Sequence, residues 1–250
     1  MSIPQTISDI VFQSAAEERT VTSIANGHIK FPHYGKTGIL LHGQPGTGKT
    51  TLAAILPSLI EARQPNGGSN PAVQKHVCTS GQNGVQLIQS LHTQLSLVSL
   101  SSGSGIRYII LDEVDNLTAP ARTQLKSVME MPDAVFILTT NNVHVLEPAL
   151  RSRCIEVSFN PTEPKIWLLR LHWILASQCT SANAFSDAFL IQLVLSAKFD
   201  ARQIMFQLQM AIHQHQTQAN SAIAIAVAAA AVAVAAPAAT PQQSPNPTTP

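Results

Sequence analysis

Charged residues and cysteines are scarce in this sequence of 250 residues. Asp, Glu, Lys and Arg together make up 12%, and the formal net charge is +1, so the chain lacks the broad basic field that attracts nucleic acid by itself. Any contact with DNA must therefore be local. Cys78, Cys154 and Cys179 are too scattered for a disulfide framework, and none forms the CxxC pair typical of zinc or redox sites. This pattern fits a reducing compartment.

Signals for secretion and for membrane insertion are also lacking. The N-terminal segment has no basic stretch followed by an apolar core, so we expect a cytoplasmic protein. Residues 222–236 are entirely apolar but mostly alanine, and they are shorter than the ~20 residues that a spanning helix needs. We therefore predict no membrane contact. Residues 219–250 are assigned to a low-complexity Ala/Pro/Thr tail, which can be helical before Pro237 and is expected to be disordered after it.

Apolar runs dominate the rest of the chain, where hydrophobic residues reach 45% of the whole. Short runs with strand character alternate with segments of helical spacing, which predicts an α/β fold with a parallel sheet flanked by helices over residues 1–160. The predicted strands are 38–42, 75–79, 107–111, 134–139 and 155–159. From residue 161 to 218 the pattern is helical only, with helices at 163–178, 186–198 and 200–215, and it predicts a small all-helical second domain.

Residues 43–50 match the phosphate-binding loop in full, with the sequence GQPGTGKT. They lie between a predicted strand and a predicted helix, which is the context that this motif requires and that a merely flexible Gly/Pro loop would not need. Backbone N–H groups of such a loop wrap the phosphates of a nucleotide, and the following helix points its positive end at them. We expect Lys49 to bind the β- and γ-phosphates and the Thr50 hydroxyl to bind magnesium. The predicted nucleotide-binding residues are Gly43, Gln44, Pro45, Gly46, Thr47, Gly48, Lys49, Thr50 and Thr51.

Two acids follow the apolar strand RYIIL. Asp112 and Glu113 should therefore lie at the carboxyl edge of a parallel sheet, where such sheets bind their ligands. We expect Asp112 to hold magnesium through water and Glu113 to act as the general base that polarises the attacking water. The alternative is a pair of solvated acids that begin a loop, and the phosphate-binding loop upstream argues against it.

Four segments then occur in a recognisable order: LHGQPGTGKTTLA, YIILDEVDNL, FILTTNN and EPALRSRC. Together they resemble the ATPase core of clamp-loader subunits, of the replication factor C small-subunit type and its phage counterparts, over about residues 5–215. This resemblance implies a P-loop NTPase core of the AAA+ kind followed by a helical lid. It also implies ATP and Mg²⁺ as cofactors, ATP hydrolysis, and a role in DNA replication.

The resemblance also implies roles for three further residues. Asn141 looks like sensor 1, which helps to place the water opposite the γ-phosphate, although by pattern alone it could be a turn residue. Arg153 in the SRC segment resembles the arginine finger that reaches the ATP of a neighbouring subunit; otherwise it is a surface arginine. Arg202 in FDARQIMFQL looks like sensor 2. The implied partners are other AAA+ subunits, in a homo- or hetero-oligomer through Arg153, together with a sliding clamp and primer-template DNA.

Two departures from the family keep other functions open. The Lys-Tyr-Arg-Pro segment of the adenine pocket is absent, which leaves residues 7–11 as the apolar candidate for base contacts. After the lid we expect a low-complexity tail in place of the helical collar that would hold a pentamer. The first alternative is a regulator or remodeller of a protein partner without DNA contact, favoured by the missing collar and the low charge. The second is a structural subunit that only binds nucleotide, against which Lys49, Glu113 and Asn141 argue.

Overall fold

A computed structural model describes residues 4–68, 70–79, 84–96, 104–131, 133–178 and 185–235. The chain divides into two compact units, residues 1–205 and 206–250. The first unit holds the sheet and the helices packed on it. The described part of the second unit, residues 206–235, is the continuation of one long helix.

Five parallel strands form one sheet within the described ranges. In sequence order they are β1 (Gly38–His42), β2 (Ala72–Val77), β3 (Arg107–Asp112), β4 (Ala134–Thr140) and β5 (Cys154–Ser158), and their order in the sheet is β2-β3-β4-β1-β5. The prediction of a parallel sheet flanked by helices is confirmed. The second strand begins at Ala72 rather than Lys75 and ends at Val77.

The register of the central strands decides which loops meet. In β1, Leu41 lies opposite Thr139 of β4 on one side and Val157 of β5 on the other. On the far side of β4, Leu111 of β3 lies opposite Leu138. Because all strands run in the same direction, the segments that follow β1, β3 and β4 leave the sheet at one edge, the carboxyl edge.

Eight α-helices connect and follow these strands in the described part of the chain. They are α1 (Ala15–Ala25), α2 (Lys49–Glu61), α3 (Gly84–Ser96), α4 (Ala119–Val128), α5 (Pro148–Arg151), α6 (Leu168–Gln178), α7 (Asp187–Ser196) and α8 (Ala201–Ala235). The sequence reading did not include α1, which begins where the Ser14 side chain accepts a hydrogen bond from the Glu17 backbone N–H. Helix α8 extends well beyond the predicted end at residue 215. Residues 236–250 of the predicted tail lie outside the described residues.

The core has one apolar cluster on each face of the sheet, because successive strand residues point to opposite faces. Ile109 and Leu111 belong to the cluster that includes buried residues of α3 and α4. Tyr108 and Ile110 belong to the cluster that includes buried residues of α1 and α2. Burying a side chain of this size contributes about 1.5–3 kcal/mol. The two clusters therefore hold the sheet rigid between the helices that carry the loops of the carboxyl edge.

The described residues contain no helix that combines the length and the apolar character needed to cross a membrane. Cys78 and Cys154 are free and buried, and burial raises the pKa of both thiols to about 12. Both thiols therefore stay protonated near neutral pH. Cys179 lies outside the described residues.

Candidate active site

The predicted phosphate-binding loop lies between the end of β1 and the start of α2. Its backbone has positive φ at three glycines: Gly43 at 135°, Gly46 at 77°, and Gly48, which precedes the first residue of α2, at 103°. At Gly43 a Cβ atom would also lie 2.7 Å from the carbonyl carbon of Phe159. The loop is therefore held close to the segment after β5, with its N–H groups available at the start of a helix.

Lys49 is buried inside this loop, with 6% of its surface exposed. Its ammonium group donates hydrogen bonds to the carbonyl oxygens of Gly43 at 2.8 Å and Gln44 at 2.7 Å. Burial lowers the pKa of Lys49 to about 8, although the negative charges of Asp115 and Asp112 act in the opposite direction. A compact cation is thus held where the oxygens of a bound triphosphate could replace the two carbonyls.

Thr50 and Asp112 meet next to Lys49. The Thr50 hydroxyl donates a hydrogen bond to Asp112 Oδ1 at 2.9 Å, and the hydroxyl of Thr139 donates to the same oxygen. Asp112 is buried. The ammonium nitrogen of Lys75 lies 3.9 Å from Asp112 Oδ2 and forms a long ion pair with it. A hydroxyl and a carboxylate in this arrangement are the oxygen ligands that Mg²⁺ prefers, so the residues present fit a magnesium ion.

Glu113 follows Asp112 with an unusual backbone conformation. Its φ of 60° and ψ of 52° lie in the left-handed region, which costs a residue other than glycine about 1–3 kcal/mol. Its N–H donates to the Thr139 hydroxyl at 3.0 Å, and its carboxylate is exposed. Asn141 is also exposed and directly follows β4, at the same edge. The fold therefore brings Glu113 and Asn141 to the edge that carries the phosphate-binding loop.

Thr139 was not among the residues predicted for the site. It donates to Asp112 and accepts from the backbone of Glu113, so it fixes both acids relative to β4. It is almost fully buried. The available signal was a pair of threonines ending the otherwise apolar run AVFIL.

A cavity of about 450 Å³ adjoins the phosphate-binding loop. This volume lies in the range of ligand pockets, about 300–1,000 Å³. Ile10 and Val11, from the segment predicted to contact a base, line one side. The phosphate-binding loop and the start of α2 provide a second wall with Thr47, Gly48 and Thr51. The helices that follow β5 provide the remaining wall, which includes Trp167, Arg170, Trp173, Ile174, Arg202 and Met205. The two tryptophans and Arg170 were missed by the sequence reading, because nothing local marks a helical residue as facing a cavity.

Arg202 lies in the wall of this cavity, in the first turn of α8. Its backbone N–H donates to the Asp200 side chain at 2.8 Å, and the N–H of Ala201 donates to the carbonyl oxygen of Gly46 at 2.8 Å. The positive charge of Arg202 contributes to the low pKa of Lys49. The start of α8 is thus placed beside the phosphate-binding loop.

Arg153 lies at the amino ends of the strands, opposite to the carboxyl edge that carries the other predicted residues. Its carbonyl oxygen accepts a hydrogen bond from the N–H of Gly38, where β1 begins. The phosphate-binding loop begins only after the 5 residues of β1, which span about 13–17 Å at about 3.3 Å per residue. The Arg153 side chain pairs with Glu130 and donates to the Ala149 carbonyl oxygen at 2.7 Å. The fold therefore separates Arg153 from the nucleotide site of its own chain.

An ion pair joins the two sides of the cavity. Asp9 Oδ1 accepts a hydrogen bond from Arg170 Nη1 at 2.7 Å, while Oδ2 accepts from the backbone N–H groups of Gln5 and Thr6 at 2.9 and 3.0 Å. Arg170 in turn lies 4.5 Å from the centre of the Trp173 ring. Burial alone would raise the pKa of Asp9, but these hydrogen bonds lower it to about 2. Asp9 therefore connects the N-terminal segment to α6 as a charged group at neutral pH.

Asp9→Asn should lower the free energy of unfolding at neutral pH by about 1–3 kcal/mol, because it removes a charge-assisted hydrogen bond from a half-buried arginine. The folded-state pKa lies below the ordinary value of 3.8, so the parent's advantage should be full above about pH 4 and disappear as the pH falls towards 2. Urea unfolding of both proteins across this range measures the difference. Asp187→Asn is the matched control, because Asp187 forms an exposed pair in which its Oδ1 lies 2.8 Å from His172 Nε2. This substitution should change the free energy of unfolding by less than about 1 kcal/mol. Equal effects of the two substitutions would contradict a special role for Asp9.

Comparison with known proteins agrees with this geometry. The family model described as "ATPase family associated with various cellular activities (AAA)" matches residues 39–162. The chain is 30% identical over 209 residues to "Replication factor C subunit 3" of Blastobotrys adeninivorans, an alignment that covers 82% of this chain and 57% of that protein. It is also 30% identical over 173 residues to "Replication factor C small subunit" of Staphylothermus marinus, covering 68% of this chain and 49% of the relative. The chain thus spans about half the length of these curated relatives.

Solved structures share the fold at lower identity. The RuvB Holliday junction branch migration motor of Thermotoga maritima matches with a TM-score of 0.58 and 20% identity, covering 83% of this chain and 64% of that one. The structure of C. elegans PCH-2 matches with a TM-score of 0.53 and 16% identity, covering 85% of this chain and 73% of the other. These likenesses concern the fold alone, and they agree with the predicted P-loop NTPase architecture.

Proposed function

We infer that this chain belongs to the AAA family of ATPases, and within it to the clamp-loader type. We propose that it binds ATP with magnesium, hydrolyses ATP, and acts as a clamp-loader-like subunit in DNA replication. The observation that carries the proposal is the meeting of three residues at the carboxyl edge of the sheet: Lys49 donates to two carbonyl oxygens of the phosphate-binding loop, and Thr50 donates to Asp112.

The proposed reaction uses the residues of this edge in distinct roles. Thr50 and Asp112 would hold the magnesium ion, which when bound offsets negative charge on the β- and γ-phosphates. Lys49 would bind the same phosphates. Glu113 would accept a proton from water as the water oxygen bonds to the γ-phosphorus and the bond from that phosphorus to the leaving oxygen of ADP breaks. Asn141 would orient the water.

The helices that follow the sheet would contact the remaining parts of the nucleotide. Arg202 is placed in the cavity wall beside the loop, where its guanidinium could approach the γ-phosphate. Ile10 and Val11 offer an apolar surface to a base in the same cavity, with Trp167 and Trp173 in its wall. We propose that this cavity holds the nucleoside part of ATP.

The proposed partners follow from the relatives and from the SRC segment. Proteins named replication factor C subunits align with up to 83% of this chain. We therefore propose that the chain assembles with other AAA+ subunits and acts on a sliding clamp and primer-template DNA. Within the residues that the structure describes, no feature specifically supports the alternative of a protein remodeller without DNA contact.

Lys49→Ala should weaken magnesium-dependent ATP binding by about 100-fold or more, because charge-assisted contacts to two phosphates are lost together. Titration calorimetry measures the affinity directly. Lys36→Ala is the matched control: Lys36 also donates to a backbone carbonyl, that of Cys154 at 2.7 Å, but near the opposite edge of the sheet. Unchanged binding by Lys49→Ala would refute the site, and equal losses in both variants would point to a general effect on folding.

A pull-down from the native cell in the presence of ATP tests the partners. Recovery of a sliding clamp with the parent chain, and its loss with Lys49→Ala, would support the clamp-loader proposal. Recovery of a different protein in the same nucleotide-dependent way would favour the remodelling alternative.

A further inference from the structure

Asn116 contacts the carboxylate of Glu113 at the carboxyl edge. It ends the short 3₁₀ turn Val114–Asn116 that directly follows Glu113. Its side-chain Nδ2 donates to Glu113 Oε2 at 3.2 Å and to the carbonyl oxygen of Cys78 at 2.9 Å. The amide therefore joins the carboxylate to the backbone just beyond β2.

The second of these contacts is anchored in the sheet. Cys78 is buried, and its N–H donates to the carbonyl oxygen of Asp112 at 2.8 Å, which continues the pairing of β2 with β3. The carbonyl of Cys78 is thus fixed relative to Asp112, a proposed magnesium ligand. Any group that Asn116 holds is consequently fixed relative to the same residue.

Glu113 needs such a contact, since its carboxylate is exposed and its side chain has three rotatable bonds. Within the described ranges, Asn116 supplies the side-chain hydrogen bond to that carboxylate. It engages Oε2 and leaves Oε1 available to accept a proton from water. The backbone of Glu113 is already restrained through Thr139, so Asn116 adds the restraint that the side chain still lacks.

The chemistry of the amide explains why asparagine suits this position. A side-chain NH₂ group has two N–H bonds, and here one can point to each of the two oxygens. Asp has the same shape but no donor when ionised, and Ser has a single donor. Ala removes both contacts without adding a charge.

We propose that Asn116 is a positioning residue for Glu113, holding the carboxylate of the general base in place by linking it to the Cys78 carbonyl. The proposal rests on the proposed function, in which Glu113 takes the proton of the attacking water. Asn116 acts on hydrolysis and not on nucleotide binding, because the two hydrogen bonds that its Nδ2 donates go to Cys78 and Glu113 and not to Lys49 or Thr50.

Asn116→Ala should lower kcat about 10-fold, as expected for one hydrogen bond to a charged group, and leave the KM for ATP within about a factor of two. Asn116→Asp, which cannot donate and places a second negative charge beside Glu113, should lower kcat further. Steady-state kinetics with ATP and magnesium measure both constants. A variant that only loosened the fold would raise KM or weaken ATP binding together with the loss of rate.

A double-mutant cycle with Glu113→Gln separates positioning from an independent effect. In single-turnover experiments, adding Asn116→Ala to Glu113→Gln should change the rate by less than about a factor of two, because the base on which Asn116 acts is already gone. If the rate losses of the two single variants multiplied in the double variant, the proposal would be overturned. A normal or increased kcat of Asn116→Ala would overturn it as well. If Glu113→Gln itself hydrolysed ATP normally, the proposed function of Glu113 would fail instead.

Discussion

Arg153→Ala should reduce the rate of ATP hydrolysis by at least about 10-fold in a loosely associated preparation, and by up to about 10³–10⁵-fold where assembly is complete, while ATP affinity stays nearly unchanged. The reason is the position of Arg153 at the amino edge of the sheet, with the whole length of β1 between it and its own phosphate-binding loop. A γ-phosphate that Arg153 contacts must therefore be bound by a neighbouring chain. In the single chain the Arg153 guanidinium pairs with the Glu130 carboxylate. A phosphate bound by the neighbouring chain would have to replace that carboxylate.

Concentration dependence and subunit mixing test this action between chains. The specific activity of the parent should rise with protein concentration, and Arg153→Ala should abolish that rise. When Arg153→Ala is mixed with Lys49→Ala, an intact finger from the second chain can act at the intact loop of the first, so activity should partly return. Arg151→Ala is the matched control, since Arg151 lies two positions away and makes an exposed pair of 2.8 Å with Glu156. If Arg153→Ala hydrolyses like Arg151→Ala and mixing has no effect, Arg153 is a surface residue.

Glu113→Gln should leave ATP bound but lower turnover by about 10²–10⁴-fold, the usual contribution of general acid–base catalysis. The amide keeps the size of the side chain, and its oxygen can still accept the hydrogen bond of Asn116, but it cannot take a proton from water. Steady-state hydrolysis and a nucleotide titration measure the two effects separately.

Glu18→Gln provides the control for this substitution, because Glu18 is exposed in the first turn of α1 and far in sequence from the site. Its turnover should match that of the parent. Turnover of Glu113→Gln within about a factor of two of the parent would remove Glu113 from the reaction. Loss of ATP binding by the same variant would instead indicate that the carboxylate supports the site structurally.

Local patterns in the sequence were enough to predict the architecture and to place several of the predicted site residues at one edge of the sheet. The alternation of apolar strands and helical segments depends on neighbouring residues, so it predicted the five parallel strands. The phosphate-binding loop was equally clear, because glycine spacing and the strand–loop–helix context are contiguous in the chain. Asp112 and Glu113 could be placed beside the loop because carboxyl ends of parallel strands share one edge.

Tertiary structure alone decided what lies around that centre. The contacts of Thr139 with both acids, of Asn116 with Cys78 and of Asp9 with Arg170 join residues that different elements bring together. No local sequence pattern predicts these contacts, because a hydrogen bond between distant segments depends on strand order and on the packing of helices.

The same reason applies to Arg153. The SRC segment led to the prediction that Arg153 is an arginine finger. Its distance from the nucleotide site follows from the sheet, in which β5 lies next to β1 and begins at the end opposite to the carboxyl edge. A strand has two ends about 13–17 Å apart, and its direction in the sheet determines which residues can meet. That direction places Lys49, Asp112 and Asn141 at one edge and leaves Arg153 at the other.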